Sequence, residues 1–303
     1  MSYVPEFVAL YEIIPYIRNL PVNNETIRVA VKDYLEGGEK KAGIIKKYGS
    51  IGDWNTSEVT DMSKLFCDYN NFNEDISKWD TSNVIDMYCM FQFATRFNQD
   101  ISGWDVSKVT DMGCMFHYAK SFNQPIGKWD VSNVLIMDGL FAYTKNFNQP
   151  IGGWDTSNVI TMGGMFLGAE FNHPIGEWDV SKVISMSSMF CDSESFNQPI
   201  GKWNVSNVTN MCQMFCRADD FNHPIGEWDV SKVISMSYMF YFAKMFNQPI
   251  EKWDVSKVNC MSEMFYEADN FNLENAPWFR DSDSNPRFYD SDSYYDNLDD
   301  EED

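Results

Sequence analysis

An α/β repeat solenoid is what this sequence predicts, on three grounds. All ten tryptophans, from Trp54 to Trp278, fall at one spacing of 25 residues, except for 24 between Trp154 and Trp178. A 25-residue unit therefore recurs nine times over residues 51–273, and a fixed period in this range marks units that bury their apolar faces only by stacking on one another. Within each unit two shorter periods follow in turn, one suited to a strand and one to a helix.

Residues 1–50 precede the first tryptophan and lack the repeat, so they are expected to form a helical N-terminal cap over the first coil. Phe7, Leu10, Tyr11, Ile14 and Ile17 have helical spacing. Pro21 breaks this pattern. Asn24 or Thr26 is then expected to cap a second helix over 26–36, with Ile27, Ala30, Val31 and Leu35 on one face. Gly37-Gly38 ends it, and 39–48 reads as a third, short helix.

Residues 51–278 form the nine-repeat solenoid. The unit is clearest in 225–249. Trp228 and Val230 alternate around Asp229, which predicts a short parallel strand. Val233, Met236, Met239, Phe240 and Ala243 are spaced by three and four, which predicts a short helical edge with Ser231 as its N-cap. The Phe-Asn-Gln-Pro segment turns the chain back, since Pro cannot extend a helix. In the short unit a residue is lost between Phe166 and Phe171, which places that stretch at an outer corner. Nine coils at one strand spacing would extend about 40 Å. Residues 279–303 change character: Asp-Ser runs and a terminal Asp-Asp-Glu-Glu-Asp predict an acidic disordered tail.

The unit I-x-x-W-D-V/T-S-x-V-x-x-M-x-x-M-F-x-x-A-x-x-F-N-Q closely resembles the BspA-like leucine-rich repeats. That resemblance implies a right-handed, leucine-rich-repeat-like coil. Bacterial relatives are surface proteins implicated in adhesion. This chain departs from them at its N-terminus, where Met1 to Val8 contains no basic segment and Glu6 and Glu12 interrupt the apolar stretch, so no export signal is expected. No run approaches the roughly 18 apolar residues of a membrane span. The expected compartment is intracellular, with surface exposure implied only by the resemblance.

Net charge is −22, unevenly distributed. Residues 1–50 carry 6 acids and 7 bases, 51–273 carry 28 and 14, and 274–303 carry 11 and 2. With no basic patch to follow a phosphate backbone, nucleic acid is not expected as a partner.

The candidate interaction strip is the acid column Asp80, Asp105, Asp130, Asp155, Asp179, Asp229 and Asp254, with Asn at 55 and 204. Like charges at one strand spacing repel by about 1 kcal/mol per pair even in a water-like dielectric. Three arrangements would relieve this: hydrogen bonds from backbone N–H groups or the nearby Ser, a calcium ladder, or a basic partner laid along the strip. The two Asn residues favour the first, because Asn keeps the acceptor oxygen without the charge. The Trp, Val, Met, Phe and Ala columns read as core, with an exposed carbohydrate-binding platform as the alternative for Trp. The Asn column, Asn73 to Asn272, is present in every unit and reads as a structural ladder.

The seven cysteines share no single column and read as reduced thiols in apolar slots. His173 and His223 replace Gln two coils apart, too far to share a metal, and His117 lies elsewhere. No nucleophile, base and orienting acid recur together, and no phosphate loop, H-E-x-x-H or C-x-x-C occurs. The expectation is a non-catalytic monomeric scaffold with no cofactor and no metal, contacting a basic protein partner through an extended acidic face. The rivals are an adhesin-like surface protein and an acidic chaperone or decoy for basic proteins.

Overall fold

The structure is a computed structural model and describes residues 20–280. The first predicted helix and the tail from 281 lie outside the described residues. Helix α1 spans Asn24–Glu36 and α2 spans Gly38–Tyr48. The N-cap of α1 is Asn23, one residue before the predicted candidates. Its side chain accepts from the N–H groups of Glu25 and Thr26, while the Thr26 hydroxyl oxygen accepts from the Asn23 N–H, completing a capping box. Thr26 thus supports the cap as its third helical residue. Of the amphipathic face predicted for this helix, Ile27, Ala30 and Val31 are buried, while Tyr34 rather than Leu35 completes it and Leu35 is half-buried. Gly37, at φ 85°, joins the two helices.

Beyond Asp53 the chain winds through stacked coils. The strand and the helical edge expected in each repeat are both absent from the described residues. A single parallel bridge joins each coil to the next, Asp61 to Asp86, Asp86 to Asp111, and onward to Ser235 and Cys260. The Met-x-x-Met-Phe run forms overlapping tight turns instead of a helix. In the third coil the N–H groups of Met115, His117 and Ala119 close turns onto the carbonyls of Met112, Cys114 and Phe116. The intervening N–H groups of Met112, Cys114, Phe116 and Tyr118 donate across to Ile136, Asp138, Leu140 and Ala142 of the next coil, at 2.7–3.1 Å. An α-helix would consume every one of these donors internally. The stack requires half of them to point along its axis, and that demand outweighs the helical spacing of the apolar residues. The geometry needs two residues per coil at positive φ, such as Cys114 at 54° and Tyr118 at 57°.

The core is a set of continuous ladders. Phe91, Phe116, Phe141 and Phe166 stack ring on ring at 5.7–5.9 Å, and each is backed by a second Phe at 3.9–4.3 Å. The Trp column is buried, and each indole N–H from Trp79 onward donates to an Ile carbonyl of the preceding coil, as Trp154 does to Ile126 at 3.2 Å. Where Thr replaces Val, the buried hydroxyl donates to a carbonyl of the following coil, Thr81 to Asp105 at 2.9 Å. Gly127 has no room for a side chain, because a Cβ would lie 2.2 Å from the Pro150 carbonyl oxygen. The lost residue of the short unit is absorbed outside the core: Thr161 still bridges Ser185, and Phe166 still stacks on Phe171.

Helices α1 and α2 cover the first coil. Tyr34 and Tyr48 pack on Trp54 with centroids 5.8 and 6.1 Å away. Side chains of α1 supply the hydrogen bonds that a preceding coil would supply. Asn24 accepts from the N–H groups of Thr60 and Asp61, and the Arg28 guanidinium donates to the Ser63 carbonyl while pairing with Asp61 at 2.9 Å.

Candidate interaction face

The predicted strip is present on the surface: Asp80, Asp105, Asp130, Asp155, Asp179, Asp229 and Asp254 are all exposed. In each, Oδ1 accepts the N–H of the Ser two residues on, at 2.9–3.1 Å. Asn55 and Asn204 accept from Ser57 and Ser206 in the same way. This local turn fixes the corner after the Trp, and Asp or Asn serves equally as its acceptor. The Ser hydroxyl, then the Ser N–H, holds the carboxyls of Asp105, Asp155, Asp179, Asp229 and Asp254 below the usual carboxylate range.

The neighbouring column is Asn or Lys from position 83 to 257 and tempers the strip. Asn133 and Asn158 donate to Ser carbonyls of the preceding coil, and Lys108, Lys182 and Lys232 donate to the Asn side chain before them at 2.6–2.7 Å. The ammonium groups of Lys108, Lys182 and Lys232 thereby stand close enough to Asp105, Asp155, Asp179 and Asp229 to offset part of their charge. Among the described residues no group of three or more His, Cys, Asp or Glu side chains converges as a metal site.

The corner column forms an unbroken ladder. Each Asn side chain from Asn73 to Asn247 accepts the N–H of the Asn in the next coil, at 2.9–3.2 Å. His173 and His223 stand where other coils have Gln, each with Nε2 near a carbonyl of the preceding coil, at 3.0 and 3.1 Å. All seven cysteines are free thiols. Adjacent coils bring four of them into two pairs. The Cys114 thiol hydrogen-bonds Cys89 and lowers it to about 7, and Cys191 pairs with Cys216.

Sequence reasoning missed a second face. Just before the bridge, five coils carry an aliphatic side chain, Ile85, Leu135, Ile160, Ile184 and Ile234, 38–48% exposed, where the others have Thr or Asn. A few residues later the positive-φ turns carry rings outward: Phe93 stacks on Tyr118 at 5.0 Å, and Tyr118 on Tyr143 at 4.5 Å. His117 lies beside them, 4.9 Å from Tyr118, its burial pushing the imidazole down to about 4. The Tyr143 ring lies over Gly168, where a Cβ would come within 2.6 Å of it. Toward the C-terminal end, Arg217 sits over Phe242 at 5.5 Å and Tyr241 stacks on Tyr266 at 5.4 Å. Asp86, Asp111 and Asp138, each half-buried, lie nearer the bridge: Asp86 and Asp111 accept the N–H groups of Tyr88 and Gly113 at 2.8 Å, and Asp138 accepts from Gly163 of the next coil. The signal was in the variable positions of the unit, where aromatics recur without being repeat-wide. Attention to invariant columns passes over them.

Stacked coils, with polar columns spent on holding neighbours together, define a tandem-repeat solenoid. The chain belongs to the family described as Mycoplasma protein of unknown function, DUF285, whose model matches residues 40–142, 124–211 and 198–300. No curated protein matches the sequence. Among solved structures, the functional domain of InlJ from Listeria monocytogenes, described as including a cysteine ladder, is 12% identical with a TM-score of 0.23. The match covers 78% of this chain and 58% of that one, and nothing about this chain follows from so distant a likeness. Among the described residues no helix is long and apolar enough to cross a membrane.

Proposed function

We propose that the chain is a non-catalytic scaffold that binds a protein partner along the turn face of its coils. The observation that carries this reading is the set of exposed aliphatic side chains Ile85, Leu135, Ile160, Ile184 and Ile234 at one position of the coil, with Thr110 and Thr209 between them, and the half-buried stacked rings Phe93, Tyr118 and Tyr143 further along the coil. Large exposed aliphatic side chains that recur at one position of an otherwise polar surface are characteristic of contact surfaces. The partner is a polypeptide with apolar and basic side chains, because the exposed aliphatic positions lie next in sequence to Asp86 and Ile136 of the bridge and the array as a whole is acidic. The resemblance of the unit to BspA-like repeats is in keeping with contact through a repeated face.

A second reading keeps the exposed Asp column as the docking strip. Affinity capture from the native cell decides between the two. One variant changes Ile160, Ile184 and Ile234 to Ser together with Tyr118→Ser. The other changes Asp105, Asp130 and Asp155 to Asn. The partner is expected to be lost from the first variant and retained by the second. The reverse pattern would assign binding to the acid strip. Equal retention by both would sink the scaffold reading for these two faces.

A further inference from the structure

Of the two thiol pairs that the stack brings together, one is placed to react. Cys89 and Cys114 occupy the same position in the second and third coils, each at φ 54°. The ladder holds them in register on both sides. Asp86 bridges Asp111, the Cys89 N–H donates to the Gly113 carbonyl at 2.8 Å, and the Phe91 N–H donates to the Met115 carbonyl at 2.9 Å. One strand spacing, about 4.8 Å, separates the two Cα atoms, inside the roughly 4.4–6.8 Å that a disulfide spans. The Cys114 thiol already donates to the Cys89 sulfur. On the other side of Cys114 stands Gly139, where a Cβ would come within 3.0 Å of the Cys114 sulfur, so the missing side chain leaves that sulfur room to turn.

The surroundings divide the roles of the two sulfurs. The Cys114 thiol, the Tyr88 hydroxyl and the nearby Lys64 ammonium favour the Cys89 thiolate, and they outweigh burial and the Asp111 carboxylate. Cys89 itself, burial, Asp138 and Asp111 all keep Cys114 protonated. A nucleophilic anion thus lies against a thiol that can follow it. Cys89 is 2% exposed, which admits only a small reagent, and the half-buried Cys114 opens the pair to the surface. The second pair differs. Cys191 and Cys216 are 1% and 4% exposed, and the bond to Cys216, burial and Asp192 hold Cys191 protonated. Burial raises Cys67 and Cys212 as well.

We propose that Cys89 and Cys114 are a modification site for small hydroperoxides, which oxidise the pair to a disulfide that ties the second coil to the third. The Cys89 thiolate attacks one peroxide oxygen and the O–O bond breaks. The departing hydroxide takes up a proton, and Cys89 is left as a sulfenic acid. The Cys114 sulfur then attacks the Cys89 sulfur. The S–O bond breaks, the S–S bond forms, and the hydroxyl leaves with the Cys114 proton as water. Two electrons pass from the two thiols to one hydrogen peroxide, which ends as two waters. The reaction is stoichiometric and independent of partner binding.

Hydrogen peroxide in small molar excess over the reduced full chain, followed by alkylation and peptide mass mapping, tests this. The first product is expected to have lost two hydrogen atoms and two of its seven alkylations, in a peptide that joins Cys89 to Cys114 within one chain. Excess dithiol reductant should restore all seven. Cys114→Ser should leave Cys89 as a sulfenic acid that dimedone traps, while Cys89→Ser should leave Cys114 reduced. Ser is accommodated at this position of the coil, since Ser188 occupies it in a later unit at φ 55°. First oxidation at Cys191 and Cys216 would overturn the proposal. So would a first link through Cys260 between chains, or seven thiols still reduced in the unaltered chain. Cys89 inert to peroxide in Cys114→Ser would overturn its role as the attacking sulfur.

Discussion

Asp130 illustrates what a polar side chain contributes in this array. Its Oδ1 accepts from the Ser132 N–H at 3.1 Å and from the Ser132 hydroxyl at 2.6 Å, on an exposed corner. Asn offers the same oxygen, so Asp130→Asn is expected to change stability by less than about 0.5 kcal/mol. Asp130→Ala should cost about 1 kcal/mol, because the freed donors find water rather than a dry void. Chemical denaturation of the two variants measures the difference. If both changes are neutral, the corner is held without the side chain. His117 gives the residue scale a pH dependence. Burial depresses its imidazole from 6.5 to about 4, and Gln92 Nε2 lies 3.0 Å from Nδ1, where it can donate only to a neutral ring nitrogen. Between pH 6.5 and about 4 the unfolded chain binds a proton there that the native chain does not. The His117 contribution to stability should therefore fall by about 3 kcal/mol as pH drops through that window, and stay constant above it. His117→Gln, which repeats the residue of the preceding coil, should remove that component of the slope. A variant with an unchanged slope between pH 6.5 and 4 would assign it to other groups.

At the scale of the coil, the controlling feature is the pair of positive-φ residues that lets alternate N–H groups cross to the next coil. Ser188, at φ 55°, is one of them, and its N–H donates to the Cys212 carbonyl at 2.8 Å. A β-branched residue fits this conformation poorly. Ser188→Val is expected to cost about 1–2 kcal/mol, while Ser188→Gly stays within about 0.5 kcal/mol. Equal effects of Val and Gly on the denaturation midpoint would mean that the turn is unstrained. The Trp column works at the same scale. Trp154 fills the space between coils and donates to Ile126. Trp154→Ala should cost about 3–5 kcal/mol as a large buried aromatic removed. Trp154→Phe should cost about 1–2 kcal/mol, largely because it leaves the Ile126 carbonyl unpaired. Unaltered stability in Trp154→Ala would invert the assignment of faces.

For the molecule as a whole, stability is a sum of coils and the contacts between neighbours, so whole units are interchangeable where fractions of a unit are not. Deleting residues 126–150 joins Pro125 to Ile151 and keeps every ladder in register. This shortened chain should still melt in a cooperative transition, at a lower temperature than the parent. Deleting only 126–137 puts all later columns out of phase and should abolish the cooperative transition for the coils beyond it. Circular dichroism melting of the two chains provides the comparison. Cooperative melting of both would show that the coils do not depend on register.

The period, the coil boundaries, the buried columns and the Asn ladder were legible in the sequence, because each repeats nine times and a side chain that packs only against its own copy must recur at the unit spacing. The acceptor role of the Asp column was legible for a related reason: Asn55 and Asn204 preserve one oxygen and discard the charge. The backbone path was not legible. Val233, Met236, Met239, Phe240 and Ala243 carry helical spacing, yet the turns around them send every second N–H to another coil, and only neighbours present in space create that demand. Thiol pairs such as Cys89 with Cys114, and the outward rings Phe93, Tyr118 and Tyr143, were also decided by the stack. They sit 25 residues apart in variable positions, and become neighbours only when one coil is laid upon the next.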